Sequence, residues 1–595
     1  MKRILIAGAL VAVAATAGYL VTQSSTESTA ENAGDNSDNN VVNSAVLNYI
    51  PENTPIFSGQ LTPFPIKDYI NSIADTYSAS PDEIMSSIYA SESYDPSNSK
   101  ANFFLALIQR YLSTMQDADA FMTTFGLAEE LQAYFYTLGM IPVFKIDVIN
   151  PDAIWVLLDE AEAKSSFTHE QRQIKQRDYR AYQLTDTTET TQLELIISQH
   201  DNILTITFNS GLNDPILLEN ALGLTPVERS LADANTLNDL IKKHQFTEQS
   251  IGYLNHQAMI QAITSPDESL LGQHIAKLMS SQSEDPLLIY QQPDCKAELT
   301  GIASNWPRTA FGFNQFDINN DNTTFDMSMV VESNNQTILT ALTQMTGFIP
   351  AYVSDLNNTV LALGIGLDVG SLSPAINNIW NELQQPSYTC PPLQQMQAAI
   401  QQNNPAMLGV MTAMANEVKG VSGAVIDYSL DESQSELTIK SLDAIISLSA
   451  DDPRALYNII ATFRPELANV KLPANGNVVE LSSLIPITPM PGINPKLIMH
   501  KEHMVIFNGD NAEKIAINQG DEPITATGIY SLSIDYSKAF TPLVTAAELS
   551  GQEVPQELLD LKDYNLRLNT GLQINEQGIE ARSYINLKSN SATKP

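Results

Sequence analysis

Two stretches decide the fold. Val143-Phe144-Lys145-Ile146-Asp147-Val148-Ile149 runs into Asn150-Pro151-Asp152-Ala153-Ile154-Trp155, and Ala444-Ile445-Ile446-Ser447-Leu448-Ser449-Ala450 runs into Asp451-Asp452-Pro453-Arg454-Ala455-Leu456-Tyr457. Each is an apolar strand followed by Asn or Asp and then Pro. Asn150 and Asp452 suit a helix N-cap, and Pro151 and Pro453 suit the first helical position, where a missing N–H costs nothing. Apolar side chains then recur at helical spacing, as Ile154, Leu157 and Leu158 and as Leu456, Ile459 and Ile460.

Working outward, the parallel continues. Tyr182-Gln183-Leu184 resembles Val479-Glu480-Leu481. Alternating hairpins follow from Leu193 and from Pro495, then helix starts at Asp214-Pro215 and Asn511-Ala512. A strand-to-helix step comes next, at Gly252–Asn255 and at Ser531–Asp535, and both series close on long hairpins beginning at Thr309 and Tyr564. Upstream, Thr54–Ile73 and Thr359–Ile379 both read strand, Gly, helix, with helical stretches expected over 101–138 and 391–418. The expectation is an α+β protein of two related lobes of antiparallel sheet with helices, produced by internal duplication, at 51–350 and 351–595. The hairpin from Gly423 to Ser441 is expected to be an addition peculiar to the second lobe.

The N-terminus speaks to compartment. Lys2 and Arg3 precede Ile4 to Val21, which is uncharged and mostly apolar. This is the pattern of a secretory signal or a single membrane anchor over 1–21. Ala15-Thr16-Ala17 offers a cleavage site, whereas the apolar run continues through Val21, which favours the anchor. The expected location is the periplasm, with the membrane touched only through residues 4–21. Residues 22–50 are Ser, Thr, Asn, Asp, Glu and Ala for the most part and read as a disordered polar linker. In an exported chain the only two cysteines, Cys295 and Cys390, read as one disulfide.

The 595 residues include 31 Lys and Arg against 68 Asp and Glu, a net charge of −37. That balance argues against a nucleic-acid partner, since the basic spots are short or interleaved: Lys242-Lys243-His244, and Arg172, Lys175, Arg177 and Arg180. With 43% hydrophobic and 17% charged residues the chain has the composition of a folded protein. The charged N-terminus, the apolar segment, the Pro-rich lead-in Ile50-Pro51-Glu52-Asn53-Thr54-Pro55 and the repeated strand–helix–hairpin units resemble exported bacterial envelope proteins of unknown function. That resemblance implies a two-lobed exported body and carries over no catalytic residue.

The chemistry-bearing patterns are sparse. Gly364, Gly366 and Gly370 miss the dinucleotide spacing by one residue. Ser97-Asn98-Ser99-Lys100 fits S-x-x-K in a polar loop without companion motifs. His500 and His503 are three apart at an expected solvated hairpin tip, where zinc proteases need four on a helix. Asp317, Asn319 and Asp321 imitate the start of a calcium loop, but position six is Asn322 and position twelve Ser328. The carboxylate pairs Glu129/Glu130 and Asp159/Glu160 sit on expected helices, and Trp155, Trp306 and Trp380 are few for sugar stacking. No catalytic, metal or cofactor residue is assigned. The apolar stretch Phe121 to Phe144, with Tyr134, Phe135, Tyr136 and Met140, is the candidate groove for an apolar ligand, with helix packing in the core as its plainer reading. The expected role is non-enzymatic binding of a protein partner or an apolar ligand. A hydrolase of envelope polymers and a purely structural tethered module are the alternatives.

Overall fold

The computed structural model describes residues 44–74, 81–90, 94–185, 192–211, 214–280, 285–319, 322–355, 357–430, 439–463, 471–484, 493–549, 554 and 566–588. The expected N-terminal segment at 1–21 and most of the expected linker lie outside them. The chain divides into two compact units, one reaching Met329 and the other spanning Val330–Lys588. The division expected at 350 thus falls about twenty residues earlier, within a strand.

The first unit holds β1 (Ile56–Gly59), β2 (Ala133–Leu138), β3 (Ile141–Asp147), β4 (Glu170–Ile174), β5 (Arg177–Gln183), β6 (Leu193–His200), β7 (Ile203–Ser210), β8 (Ile251–Asn255), β9 (Arg308–Asn319) and most of β10 (Asn322–Glu332). They pair in the order β10-β9-β8-β1-β2-β3-β7-β6-β5-β4, and each register resolved between neighbours is antiparallel. The second unit holds β11 (Leu361–Gly366), β12 (Val418–Leu430), β13 (Ile439–Ala450), β14 (Val478–Glu480), β15 (Lys496–Met499), β16 (His503–Asn508), β17 (Tyr530–Asp535), β18 (Leu566–Asn575) and β19 (Gly578–Lys588). Their order is β19-β18-β17-β11-β12-β13-β16-β15-β14, again antiparallel. The two orders agree position for position once β4 is set aside. The protein is therefore α+β, built on antiparallel sheet with helices.

Several local expectations are corrected. The stretch 101–138 is not helical throughout: α1 (Ser99–Thr114) and α2 (Ala118–Phe125) end at Gly126, and Tyr134-Phe135-Tyr136-Thr137 forms β2. Gly126 is left-handed at φ +64, and a side chain there would put Cβ 2.0 Å from the Asn150 carbonyl oxygen. Beyond that stop, aromatic and β-branched residues fit a half-buried pleated surface better than another helical turn. The stretch 391–418 breaks likewise, into Pro391–Gln402 and Ala406–Thr412 before β12 begins. The hairpin from Gly423 is no addition, because β12 and β13 occupy the place that β2 and β3 occupy in the first unit. The first hairpin is short and closes tightly through Gly139 at φ +62, which hides the equivalence in the sequence.

α3 (Pro151–Ser165) starts as expected, with Pro151 in its first turn, although Asn150 caps it without a side-chain hydrogen bond. The Asp452 carboxylate does cap its helix, accepting from the Arg454 and Ala455 amides at 3.0 Å each. Residues 44–50, which fall within the expected linker, are folded. Ala45–Tyr49 forms a 3₁₀ turn that buries Val46 and Leu47, because Ser44 both caps it and accepts a 2.8 Å hydrogen bond from the Tyr134 hydroxyl.

Cys295 and Cys390 are both buried and form the expected disulfide. The bond closes about 95 residues of chain, which in the chain-entropy model disfavours the unfolded state by about 4–5 kcal/mol. Protein denatured without reductant is expected to show no thiol reactive toward Ellman's reagent, and both cysteines reactive after reduction. A thiol titrated before reduction would contradict the pairing.

Candidate functional site

The helices α1, α2 and α3 of the first unit face one side of its sheet around an apolar hollow of about 240 Å³. Each wall follows from the periodicity of its element. On α1, Phe104, Leu107 and Tyr111 recur at three and four residues; on α2, Phe121 and Phe125 are four apart; on α3, Ile154, Leu157 and Leu158 lie on one stripe. On the strands the period is two: Phe144 and Ile146, Leu195 and Ile197, Leu204, Ile206 and Phe208.

Cross-strand register assembles these into a continuous floor. Phe135 lies opposite Phe144, Phe144 opposite Ile206, and Ile206 opposite Ile197. Tyr111, Phe121 and Phe125 form an aromatic cluster on the helical side, with Phe121 and Phe125 centroids 4.7 Å apart and Tyr111 edge-on to both. Leu107, Tyr111, Phe125, Phe135, Ile146 and Ile206 keep part of their surface exposed. Protein interiors are normally packed to crystal density.

The candidate groove residues thus part company. Phe121, Phe125, Phe135 and Phe144 line the hollow. Tyr134 and Tyr136 alternate with Phe135 and face the other side of the sheet, and Met140 sits exposed at the turn, where its amide donates to His274 Nδ1 at 3.2 Å. The contributions of β6, β7 and α3 were visible in the sequence as alternating or helical apolar patterns, yet nothing there tied them to the same space as Phe121–Phe144.

The opposite face carries a lysine. Lys145 is 2% exposed, and its Nζ donates to Thr205 Oγ1 at 2.9 Å. Burial pulls its pKa down to about 7. Tyr134 beside it is pushed up to about 12, mainly by burial.

Residues singled out for chemistry are engaged elsewhere. Ser97 donates to Asp95 at 2.7 Å, while Lys100 reaches the Leu184 carbonyl at 3.0 Å. His500 and His503 are buried rather than solvated. His500 Nε2 meets the Ala516 carbonyl at 2.8 Å; His503 bridges Ser449 Oγ and the Glu522 carbonyl at 2.9 Å each. Burial lowers the His503 pKa. Gly364 and Gly366 lie in β11, where a Cβ on Gly366 would sit 2.1 Å from the Gly528 oxygen, so close strand packing explains them. Asp317 lies in β9, while Asp321 falls outside the described residues.

The carboxylates are paired: Glu129 with Lys67 at 2.7 Å, and Asp159 with Arg180 at 2.6 Å. Arg180 also stacks 4.8 Å over Trp155. Arg172 and Lys175 bind Glu170, Glu194 and Glu219, so three of the four cations in the basic set, Arg180 included, are paired with carboxylates. One titratable cluster joins Glu162 to the Tyr182 hydroxyl at 2.7 Å and to His169 at 2.6 Å, so its members satisfy one another. Among the described residues no group of three or more His, Cys, Asp or Glu is placed to hold a metal, and no helix is long and apolar enough to cross a membrane. No protein-family model, no curated protein and no solved structure matches the chain.

Lys145 generates a prediction whose sign is fixed by linkage. Its pKa is about 7 folded against 10.5 for the ordinary side chain, so between these values the unfolded chain holds the extra proton and stability rises with pH. Below pH 7 the full cost of the buried ammonium is present. Lys145→Met is expected to stabilise the protein by on the order of 2 kcal/mol at pH 7. It should also flatten the stability curve between pH 7 and 10, as read by urea denaturation. An unchanged pH slope in the variant would contradict the assignment.

Proposed function

We propose that this chain is an exported envelope protein that binds a small apolar molecule, an acyl chain or comparable hydrocarbon, in the hollow between α1, α2, α3 and the sheet of its first unit. The observation that carries the reading is the hollow itself: about 240 Å³ with a uniformly hydrophobic lining. Engineered apolar cavities of about 150 Å³ stay dry and take up benzene. The lining offers no charged group to anchor a headgroup, so recognition rests on shape and desolvation.

The role is non-enzymatic. In support, Ser97, Glu129 and Asp159 bond to Asp95, Lys67 and Arg180, and His500 and His503 meet backbone carbonyls, and none of them lines the hollow. Export is supported by Lys2-Arg3 and the apolar run to Val21, and by a buried disulfide, which persists in oxidising compartments. The periplasm, with an N-terminal tether, follows from these. The two units descend from one duplicated unit; the shared strand order and the helices inserted at corresponding steps support this.

Detergent-free, delipidated full-length protein should enhance the fluorescence of the neutral probe N-phenyl-1-naphthylamine saturably, and oleate should compete. Ile206→Trp, which fills the hollow from its floor, is expected to weaken probe binding about tenfold or more. Ile446→Thr, on the other unit, should leave it unchanged. Equal binding by wild type and Ile206→Trp would overturn the proposal.

A further inference from the structure

The sheet of the second unit distributes its side chains in an unusual way. The face it buries mixes small and polar side chains, Ala362, Gly364, Ser422, Ser447, Ser449 and Ser533, with the apolar Ile445, Val505 and Phe507, and the Tyr352 hydroxyl bonds to Ser422 at 2.9 Å and Ser447 at 3.2 Å. The face it exposes is bulky and apolar. Leu361, Leu363, Ile365, Val421 and Ile446 are 41%, 43%, 49%, 48% and 61% exposed. Register makes them one patch, since Leu363 lies opposite Gly423, Ile365 opposite Val421, and Gly423 opposite Ile446. Antiparallel sheets with one wet face normally turn polar side chains to it, and contiguous apolar patches mark interaction surfaces.

We propose that this face docks a basic amphipathic helix of a partner protein. Two observations select that occupant. The first is an internal template. β2, β3 and β7 hold the same places in their sheet as β12, β13 and β16, and their apolar face carries amphipathic helices whose Phe, Leu and Tyr side chains point down at it. A surface of this build is complementary to a helix presenting residues at three and four spacing.

The second is charge. Residues 356–426, which supply β11 and most of β12, hold only Asp368, Glu382, Glu417 and Lys419. Lys419 is neutralised by Asp368 at 3.0 Å and Asp451 at 3.2 Å. The patch is thus uncharged on a molecule of net charge −37, which favours a ligand that is apolar beneath and cationic outside. A ligand with acidic outer residues is repelled by the same field.

The test is fluorescence anisotropy with the full chain and a labelled Leu/Phe/Lys peptide of about five helical turns. Controls are the same peptide with Glu for Lys, and a scrambled peptide of equal composition. The Lys peptide should bind saturably, and more weakly as salt rises. Leu363→Thr/Ile446→Thr keeps strand-forming side chains at exposed sites and should weaken binding about tenfold or more. Val156→Thr, on the exposed side of α3, and Ile206→Trp should bind as wild type, which separates this surface from the apolar hollow. If the double variant melts lower than wild type, Val421→Thr gives the same readout with one change. Equal binding of the Glu or scrambled peptide, or undiminished binding by the Thr variants, overturns the proposal. So does capture of phosphatidylcholine vesicles, or a self-associated dimer dissolved by the Thr variants, in place of peptide binding.

Discussion

Apolar area kept from water contributes about 25 cal/mol per Å², and in both units one face of the sheet presents a continuous floor of large apolar side chains. Phe135, Phe144, Ile206 and Ile197 form that face in the first unit; Leu363, Ile365, Val421 and Ile446 form it in the second. Whatever covers it determines what the unit does. In the first unit the cover is part of the chain, and it fits with a hollow remaining. In the second, a substantial part of the face meets solvent.

The opposite faces follow a different economy. They set hydrogen-bonded polar groups among buried apolar side chains: Lys145 and Thr205 beside Tyr136 and Ile196 in one unit, and Tyr352, Ser422, Ser447 and Gln519 beside Ile445, Val505 and Phe507 in the other. Such groups are stable in a low-dielectric setting only when each finds a partner, so they constrain register more than they add stability. Swapping faces by a one-residue slip would place Lys145 in the apolar hollow, and that cost discriminates strongly against misregistered pairing. Two polar networks under two apolar floors leave little titratable chemistry in open clefts, which is why the functional reading is one of binding.

Much of this architecture was legible. The step from strand to Asn-Pro or Asp-Pro to helix located β3 with α3 and β13 with the helix at Pro453, because capping and period are local properties. Hairpins were legible from alternation. Phe121 to Phe144 was singled out as a candidate groove, and four of its six aromatic residues line the hollow while Tyr134 and Tyr136 point away from it. The rest was hidden for physical reasons. Helical and strand readings compete where aromatic residues crowd, as at Tyr134–Thr137, and only the left-handed Gly126 ends the helix. The short β2–β3 hairpin conceals its likeness to the long β12–β13. The partners of Phe144 across the floor, Ile206 and Ile197, lie some fifty to sixty residues away, and register across such distances is set by the whole sheet. His500 and His503 looked solvated because a charged Lys501-Glu502 tip separates them, yet tertiary packing buries both.

The central claim is that the first unit holds a hydrocarbon against its sheet. Native mass spectrometry of protein purified from its own cells without detergent tests it most directly. The account predicts a noncovalent adduct of one apolar molecule per chain, recovered by organic extraction and lost in Ile206→Trp. Wild-type chain that carries the bare mass, and that takes up no fatty acid when supplied with it, would contradict the account.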